Sequence, residues 1–369
     1  MKITCEREKL LHAFQTASAV APSRSPKPIL QNVKLEASTE GATLMATDLE
    51  IGVRIELQGI QVEVPGAVVL PIGRFGLILR ESSDERLYLE SSGAKTRIRG
   101  ERSEFHLPTE NPDEFPEVAL FGEQRYHKLP ARFFRELVRR TIFATDTESS
   151  RYALGGVLVE LTADHITGVA TDGRRLARQQ GPTTAVGTQE AAESAILPTR
   201  SLQVLERALA DNEEEIWLAA RENDALVKSQ RTTLYTRLVE GRFPKWRDVF
   251  PRMEQMTRIE LCVGPFYSAV RQAAIVTSES HRGVDFTFGD GKAVLLARGA
   301  ELGESRVELP IGYDGPELPV TLDPRFLGDF LRVLDPDTPF TLYVRDPESA
   351  VVAETDDGYS YVVMPLARD

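Results

Sequence analysis

The sequence predicts an α+β fold built from three repeated domains, and three observations predict it. The order of elements recurs at a spacing of about 120–130 residues. Each recurrence opens with a strand followed by an amphipathic helix. The stretches between helices alternate or run apolar and β-branched, as antiparallel strands do. Two helices per repeat, packed on antiparallel sheets, give the layered class. At 369 residues the chain is also too long for one ordinary core.

The first repeat opens with ITCEREKLLHAFQTAS (3–18), the second with HKLPARFFRELVRRTIFA (127–144) and the third with RIELCVGPFYSAVRQAAIV (258–276). In the second of these, Phe133, Phe134, Leu137, Val138 and Ile142 fall at three- and four-residue intervals and mark one buried helical face. A second strand–helix pair follows in each repeat: VVLPIGRFGLILRE (68–81), AILPTRSLQVLERALA (195–210) and LPVTLDPRFLGDFLRVL (318–334). The repeats close on NPDEFPEV (111–118), GRFPKWRDVFP (241–251) and YVVMPLARD (361–369). Domain boundaries are therefore expected near 1–122, 123–252 and 253–369. Turns are expected at Ser92-Gly93, Asp290-Gly291 and Asp357-Gly358.

Composition narrows the class. No apolar run approaches the roughly 18–20 residues that span a bilayer, and the opening MKITCEREKL lacks the apolar stretch of a signal peptide. A cytoplasmic protein without a membrane partner is expected. Cys5 and Cys262 lie far apart with no metal-ligand spacing, and each is expected as a small buried apolar group on a strand. His12, His106, His127, His165 and His281 show no ligand spacing either, so neither metal nor cofactor is expected.

The net charge of −12 argues at first against nucleic acid. Its distribution reverses that argument. The helical windows 6–18, 72–81, 130–144, 199–210, 265–276 and 323–334 hold 13 Lys/Arg against 7 Asp/Glu, so a basic helical layer sits in an acidic chain. Arg132, Arg135, Arg139 and Arg140 make the densest stretch; Arg7, Arg74, Arg80, Arg200, Arg207, Arg271, Arg325 and Arg332 add to it. No aromatic ladder accompanies them, which suits contact with duplex phosphates and not base stacking on single strands. Twelve helices about 10 Å across, six from each of two chains, would close a circle around a hole roughly 28 Å wide, enough for a duplex.

Eight segments, in order, resemble those of the β sliding clamp family, the beta subunit of bacterial DNA polymerase III. They are MKITCEREKLLHAF, KPILQNVKLEA (27–37), TDLEIGV (47–53), RYALGGVLVE (151–160), VATDGRRLA (169–177), LVEGRFPKWRDVFP (238–251), AAIVTSESHRGV (273–284) and YVVMPL (361–366). The resemblance covers the whole chain. It implies three DNA-clamp domains per chain and a head-to-tail homodimer closed into a ring around double-stranded DNA. It further implies a clamp loader that opens the ring, and a replicative polymerase alpha subunit and other clamp-binding-motif proteins that ride on it.

The family's peptide-binding pocket carries over to Leu154, Thr171, Gly173, Arg174, Arg175 and Leu176. It continues with Pro244, Val249, His281 and Phe326, and ends with Val362, Met364, Pro365 and Leu366. Apolar walls with a flexible methionine suit leucine and phenylalanine side chains, and Arg174 or Arg175 could hold a peptide carbonyl or carboxylate. For DNA the resemblance points to Arg24, Arg74, Arg80, Arg151, Tyr152, Arg200 and Arg282, and for the seam between chains to Phe105 and Leu107 against Ile275 and Val276. Four features depart from the family: Asp248 stands where an arginine is frequent, Phe326 replaces a tyrosine, Leu366 replaces a methionine, and Ala367-Arg368-Asp369 extend the tail.

Two other readings compete. Asp48, Glu50, Asp172 and Asp290 invite a Mg²⁺-dependent nuclease, since paired carboxylates hold that ion for phosphoryl chemistry. Asp172 and Asp290 precede glycine in turn context, however, and Asp48 falls in the equivalent turn, so repeated turns explain them better. No phosphate-binding loop, nucleophile elbow or H-E-x-x-H motif is present. A peptide-binding scaffold that never encircles DNA is the second rival, and the basic helical layer argues against it.

Overall fold

Strand alternation and helical periodicity decide which side chains turn inward, and the resulting elements follow the repeat. The computed structural model describes residues 1–149, 153–187, 193–209, 215–279, 281–299 and 302–367. The first repeat holds β1 (Lys2–Glu6), α1 (Arg7–Val20), β2 (Asn32–Ser38), β3 (Gly41–Thr47), β4 (Ile51–Glu56) and β5 (Ile60–Val64). It continues with β6 (Gly66–Pro71), α2 (Ile72–Glu81), β7 (Arg86–Ser92), β8 (Lys95–Arg99) and β9 (Glu104–Pro108). The second holds β10 (Tyr126–Pro130), α3 (Ala131–Thr141), β11 (Gly156–Leu161), β12 (His165–Thr171), β13 (Arg175–Pro182) and β14 (Thr184–Val186). There follow β15 (Glu193–Pro198), α4 (Thr199–Ala208), β16 (Glu215–Ala220), β17 (Asp224–Lys228), β18 (Thr232–Arg237) and the single turn α5 (Trp246–Val249). The third holds β19 (Thr257–Cys262), α6 (Val263–Ala273), β20 (Val284–Gly289), β21 (Lys292–Gly299) and β22 (Gly303–Pro310). It ends with β23 (Leu318–Leu322), α7 (Pro324–Arg332), β24 (Pro339–Val344), β25 (Val351–Glu354) and β26 (Tyr359–Val363).

One compact unit joins residues 1–135 with 183–238. It contains a sheet in the order β5-β1-β7-β8-β9 and a larger one in the order β14-β10-β16-β17-β18-β4-β3-β2-β6. Helix α1 packs on β3 and β4 and against α2 and α4. Phe14 and Phe75 meet edge to face at 5.4 Å, and Gly76 gives Phe14 room, since a Cβ there would come within 2.8 Å of its ring. Strand β18 pairs with β4 from Thr232↔Ile55 to Thr236↔Ile51, so strands of the first two repeats share one sheet.

The other unit joins residues 136–182 with 239–369. Here β13 pairs with β26 from Arg175↔Val363 to Gln179↔Tyr359, which makes strands of the second and third repeats continuous in the order β11-β12-β13-β26-β25-β24-β19. A further sheet runs β22-β21-β20-β23, and α6 packs against α7. Gly168 on β12 lies under Leu137 of α3, where a Cβ would come within 2.6 Å of the leucine.

Among the described residues six long helices overlap the expected windows, with α1 running two residues past its window and α6 starting two before; α2 fills 72–81, and α3 and α6 each tighten into a 3₁₀ turn at Ile142–Ala144 and Ala274–Val276. At Asp290-Gly291 both residues have positive φ, 49° and 73°, as a two-residue hairpin turn between β20 and β21 requires. Cys5 is buried, as expected. Cys262 is not: alternation along β19 turns Ile259 and Leu261 inward and leaves Cys262 exposed.

Candidate functional site

The β12–β13 turn is built by its own side chains. Thr171 Oγ1 donates to the Arg175 carbonyl at 2.6 Å and accepts from Gly173 N–H at 3.1 Å. Asp172 Oδ1 accepts from the N–H groups of Arg174 and Arg175 at 2.9 and 3.0 Å, and Gly173 takes φ 85°. The turn after β3 repeats this pattern: Thr47 Oγ1 donates to Ile51 O at 2.8 Å and Asp48 Oδ1 accepts from Glu50 and Ile51. Both aspartates thus have structural work. Among the described residues, no three His, Cys, Asp or Glu side chains are grouped to hold a metal.

Arg174 and Arg175 part company here. Arg175 donates to Asp172 Oδ2 at 3.0 Å, Asp329 Oδ2 at 2.6 Å and the Phe143 carbonyl at 2.7 Å. Its guanidinium lies 5.3 Å over Phe143 and 4.5 Å over Phe326. Tyr361 lies 5.9 Å from the Phe143 ring: burial pushes its phenol well above the usual range, so it stays a neutral donor and bonds Phe326 O at 2.9 Å. The expectation that either arginine could hold a peptide is therefore narrowed. Arg175 is committed to internal partners, and Arg174 is the exposed one.

Strand pairing sets Leu176 opposite Val362, both buried, and carries the chain out to Met364, whose N–H donates to Arg174 O at 2.9 Å. Leu366 N–H then donates to Thr321 O at 2.8 Å, so the tail around Pro365 is pinned at both ends. Leu154 is buried, and its neighbour Ala153 donates to Arg242 O, two residues before Pro244. Val249 and Met364 stand 58% and 44% exposed, which leaves apolar surface for a ligand. His281 stands beside the Leu366 end of the tail. It lines a cavity of about 650 Å³ with Arg282, Thr321 and Leu366.

Around α5 the structure adds residues that the sequence did not single out. Trp246 is buried, with Phe250 edge to face at 6.4 Å. Arg247 lies 4.3 Å over the Trp246 ring and forks onto both carboxylate oxygens of Glu160 at 2.9 and 2.7 Å. Arg178, on β13, lies 4.5 Å over Phe250 and donates to Ser360 Oγ at 2.8 Å. The run KWRDVF, with two aromatics beside two cations, is the signal that could have found Trp246, Arg247 and Phe250.

The helical arginines divide into two sets. Arg74, Arg80, Arg132, Arg139, Arg207 and Arg271 are exposed, as is Arg24 in the loop before β2. Arg140 is not available to phosphate, contrary to the charge count. It is 5% exposed, pairs with Glu136 and Asp357 at 2.6 and 2.8 Å, and donates to Gln179. Arg7 is likewise turned inward onto Asp84 O and Leu79 O, and Arg135 is half-buried. Arg200 pairs with Asp48 and donates to Val20 O; Arg325 and Arg332 pair with Asp323 and Asp329; Arg282 donates to Glu279 O. Arg151 and Tyr152 lie outside the described residues, as do Arg368 and Asp369.

At the expected seam, Phe105 is 36% and Ile275 76% exposed, and Val276 is half-buried. Leu107, two residues on and on the same face of β9, is 8% exposed, so Phe105 is the more open of the two. Strand β9 ends one sheet and β22 ends another, each paired on one side among the described residues.

Three family models match in sequence along nearly the whole chain: the DNA polymerase III beta subunit N-terminal domain on residues 1–119, its central domain on 128–245 and its C-terminal domain on 247–367. The chain belongs to the DNA polymerase III beta subunit family. The beta sliding clamp of Escherichia coli K12 is 29% identical over 99% of this chain and 100% of its own, and that of Halalkalibacterium halodurans 26% over 98% and 97%. The sliding clamp of Pseudomonas aeruginosa solved bound to griselimycin superposes with a TM-score of 0.92 at 25% identity, covering both chains fully. The function that follows is that of a DNA sliding clamp, a processivity factor in DNA replication. No helix among the described residues is long and apolar enough to cross a membrane.

Proposed function

We propose that two copies of this chain join head to tail into a closed ring that encircles duplex DNA without reading its sequence and without catalysing a reaction. The repeat boundaries near 1–122, 123–252 and 253–369 serve as the domains of that ring. The observation that carries the ring is a pair of sheet edges left open among the described residues, β9 and β22, with Phe105 exposed on β9 and Ile275 exposed beside the second sheet. An open edge with an apolar flank is a template for strand addition, and a heterologous contact whose rotation closes gives a ring. Duplex phosphates would meet Arg24, Arg74, Arg80, Arg151, Tyr152, Arg200 and Arg282, with Arg132, Arg139 and Arg207 adding charge.

A clamp loader would open the ring at primed DNA. The replicative polymerase alpha subunit and other partners would then dock short peptides on Leu176, Val362, Val249 and Met364, with Arg174 at the rim and Phe326, Pro365, Leu366 and His281 further along. The griselimycin-bound relative supports a ligand pocket in this fold. Tethering a polymerase to a topologically held ring raises its effective concentration at the primer end. Sedimentation equilibrium of the full chain tests the ring: the expected mass is twice 41.0 kDa, and a monomer at micromolar concentration contradicts it.

A further inference from the structure

A four-residue helix has no stability of its own, because nucleation costs more than one turn of hydrogen bonds returns. α5 also lacks a side-chain cap at its N-terminus. Its position must therefore come from what grips it. Two arginines do so from opposite directions. Arg247, on α5 itself, reaches the Glu160 carboxylate of β11 with a two-pronged fork while lying over the Trp246 ring. Arg178, on β13, reaches over Phe250 just past α5 and is held by Ser360 and Glu354, at 2.8 and 3.8 Å. Trp246 and Phe250 thus each face a cation that is itself anchored to the sheet, Arg247 to β11 and Arg178 to β25 and β26.

Val249 lies between those two rings in sequence and is the most exposed apolar residue of the turn. We infer that Glu160, Arg178 and Arg247 are positioning residues of the peptide pocket, holding α5 so that Val249 forms a fixed wall. This rests on the reading of that pocket given above. The consequence is affinity without contact: releasing the bracket leaves the pocket residues in place but lets one wall move, and a peptide must then order it on binding.

The test measures binding of a fluorescein-labelled peptide, Gln-Leu-Asp-Leu-Phe, by anisotropy on the full-length dimer, beside Tm and sedimentation mass. Glu160→Gln leaves the Arg247 charge in place and removes only its anchor. The expected result is a Kd raised about fivefold, with mass unchanged. Arg178→Met is expected to raise Kd at least tenfold. Acrylamide quenching of Trp246, read in a Trp217→Phe background, should rise in both. Arg247→Lys, which keeps charge but not the planar fork, should fall between wild type and Arg247→Ala. Wild-type Kd in Glu160→Gln overturns the inference, and does so even if Arg178→Met fails to fold. If Met364→Ala binds the peptide as wild type does, or wild type binds none, the pocket reading itself fails.

Discussion

The Arg175 guanidinium sits 4.5 Å over the Phe326 ring while donating to Asp329 at 2.6 Å, which binds the β12–β13 turn to α7. Its neighbour Arg174 has no side-chain partner among the described residues. The two arginines should therefore fail differently. Arg175→Ala takes one partner from Asp329, which keeps Arg332, and one from Asp172, which keeps two backbone N–H groups, and is expected to cost about 1–3 kcal/mol in urea unfolding. Arg174→Ala should leave stability within about 0.5 kcal/mol of wild type and weaken peptide binding about fivefold to tenfold, near 1–1.4 kcal/mol.

Arg140 makes a second contrast, with the arginines proposed for DNA. Arg140→Met is expected to destabilise by about 1–3 kcal/mol, because Glu136, Asp357 and Gln179 lose a buried partner, while DNA retention by the folded fraction stays the same. Arg74→Glu with Arg80→Glu should leave unfolding unchanged and reduce DNA retention and its salt dependence.

Asp357 gives that junction a pH dependence. Burial pushes its carboxyl up, but the Thr355 hydroxyl and the Arg140 guanidinium outweigh this and hold it below the ordinary 3.8. A carboxyl depressed on folding contributes stability above its unfolded value and loses it as pH falls through the folded one. Urea midpoints should therefore drop below about pH 4, and Asp357→Asn, less stable at pH 7, should show a shallower drop.

The two cysteines should react unequally. Burial pushes the Cys5 thiol up to about 12, against a smaller opposing effect of its hydrogen bonding with the Leu87 backbone, whereas Cys262 is exposed. Ellman's reagent at pH 8 should titrate one thiol in the native protein and two in denaturant, with the native signal lost in Cys262→Ser.

Much of this was legible in the chain itself. The helix at 72–81, the threefold order of elements and the Thr-Asp turns at 47–48 and 171–172 follow from periodicity and side-chain chemistry local to each segment. What was not legible depends on partners far along the chain. Arg140 counts as a surface cation until Asp357, 217 residues later, closes on it. Which of Arg174 and Arg175 turns inward is set by pairing with Val363. Cys262 was misassigned because a one-residue step along a strand exchanges core for surface.

Encirclement is tested most directly by cutting the DNA. The protein is loaded onto nicked circular plasmid by its clamp loader with ATP, freed of unbound chain by gel filtration, and divided, and one half is linearised with a restriction enzyme. A ring should stay on the circle through 0.5 M salt, an added condition of about three times physiological ionic strength, and leave the linear form by sliding off its ends. Equal retention on circle and line, or loss from both at that salt, would contradict a topological hold on duplex DNA.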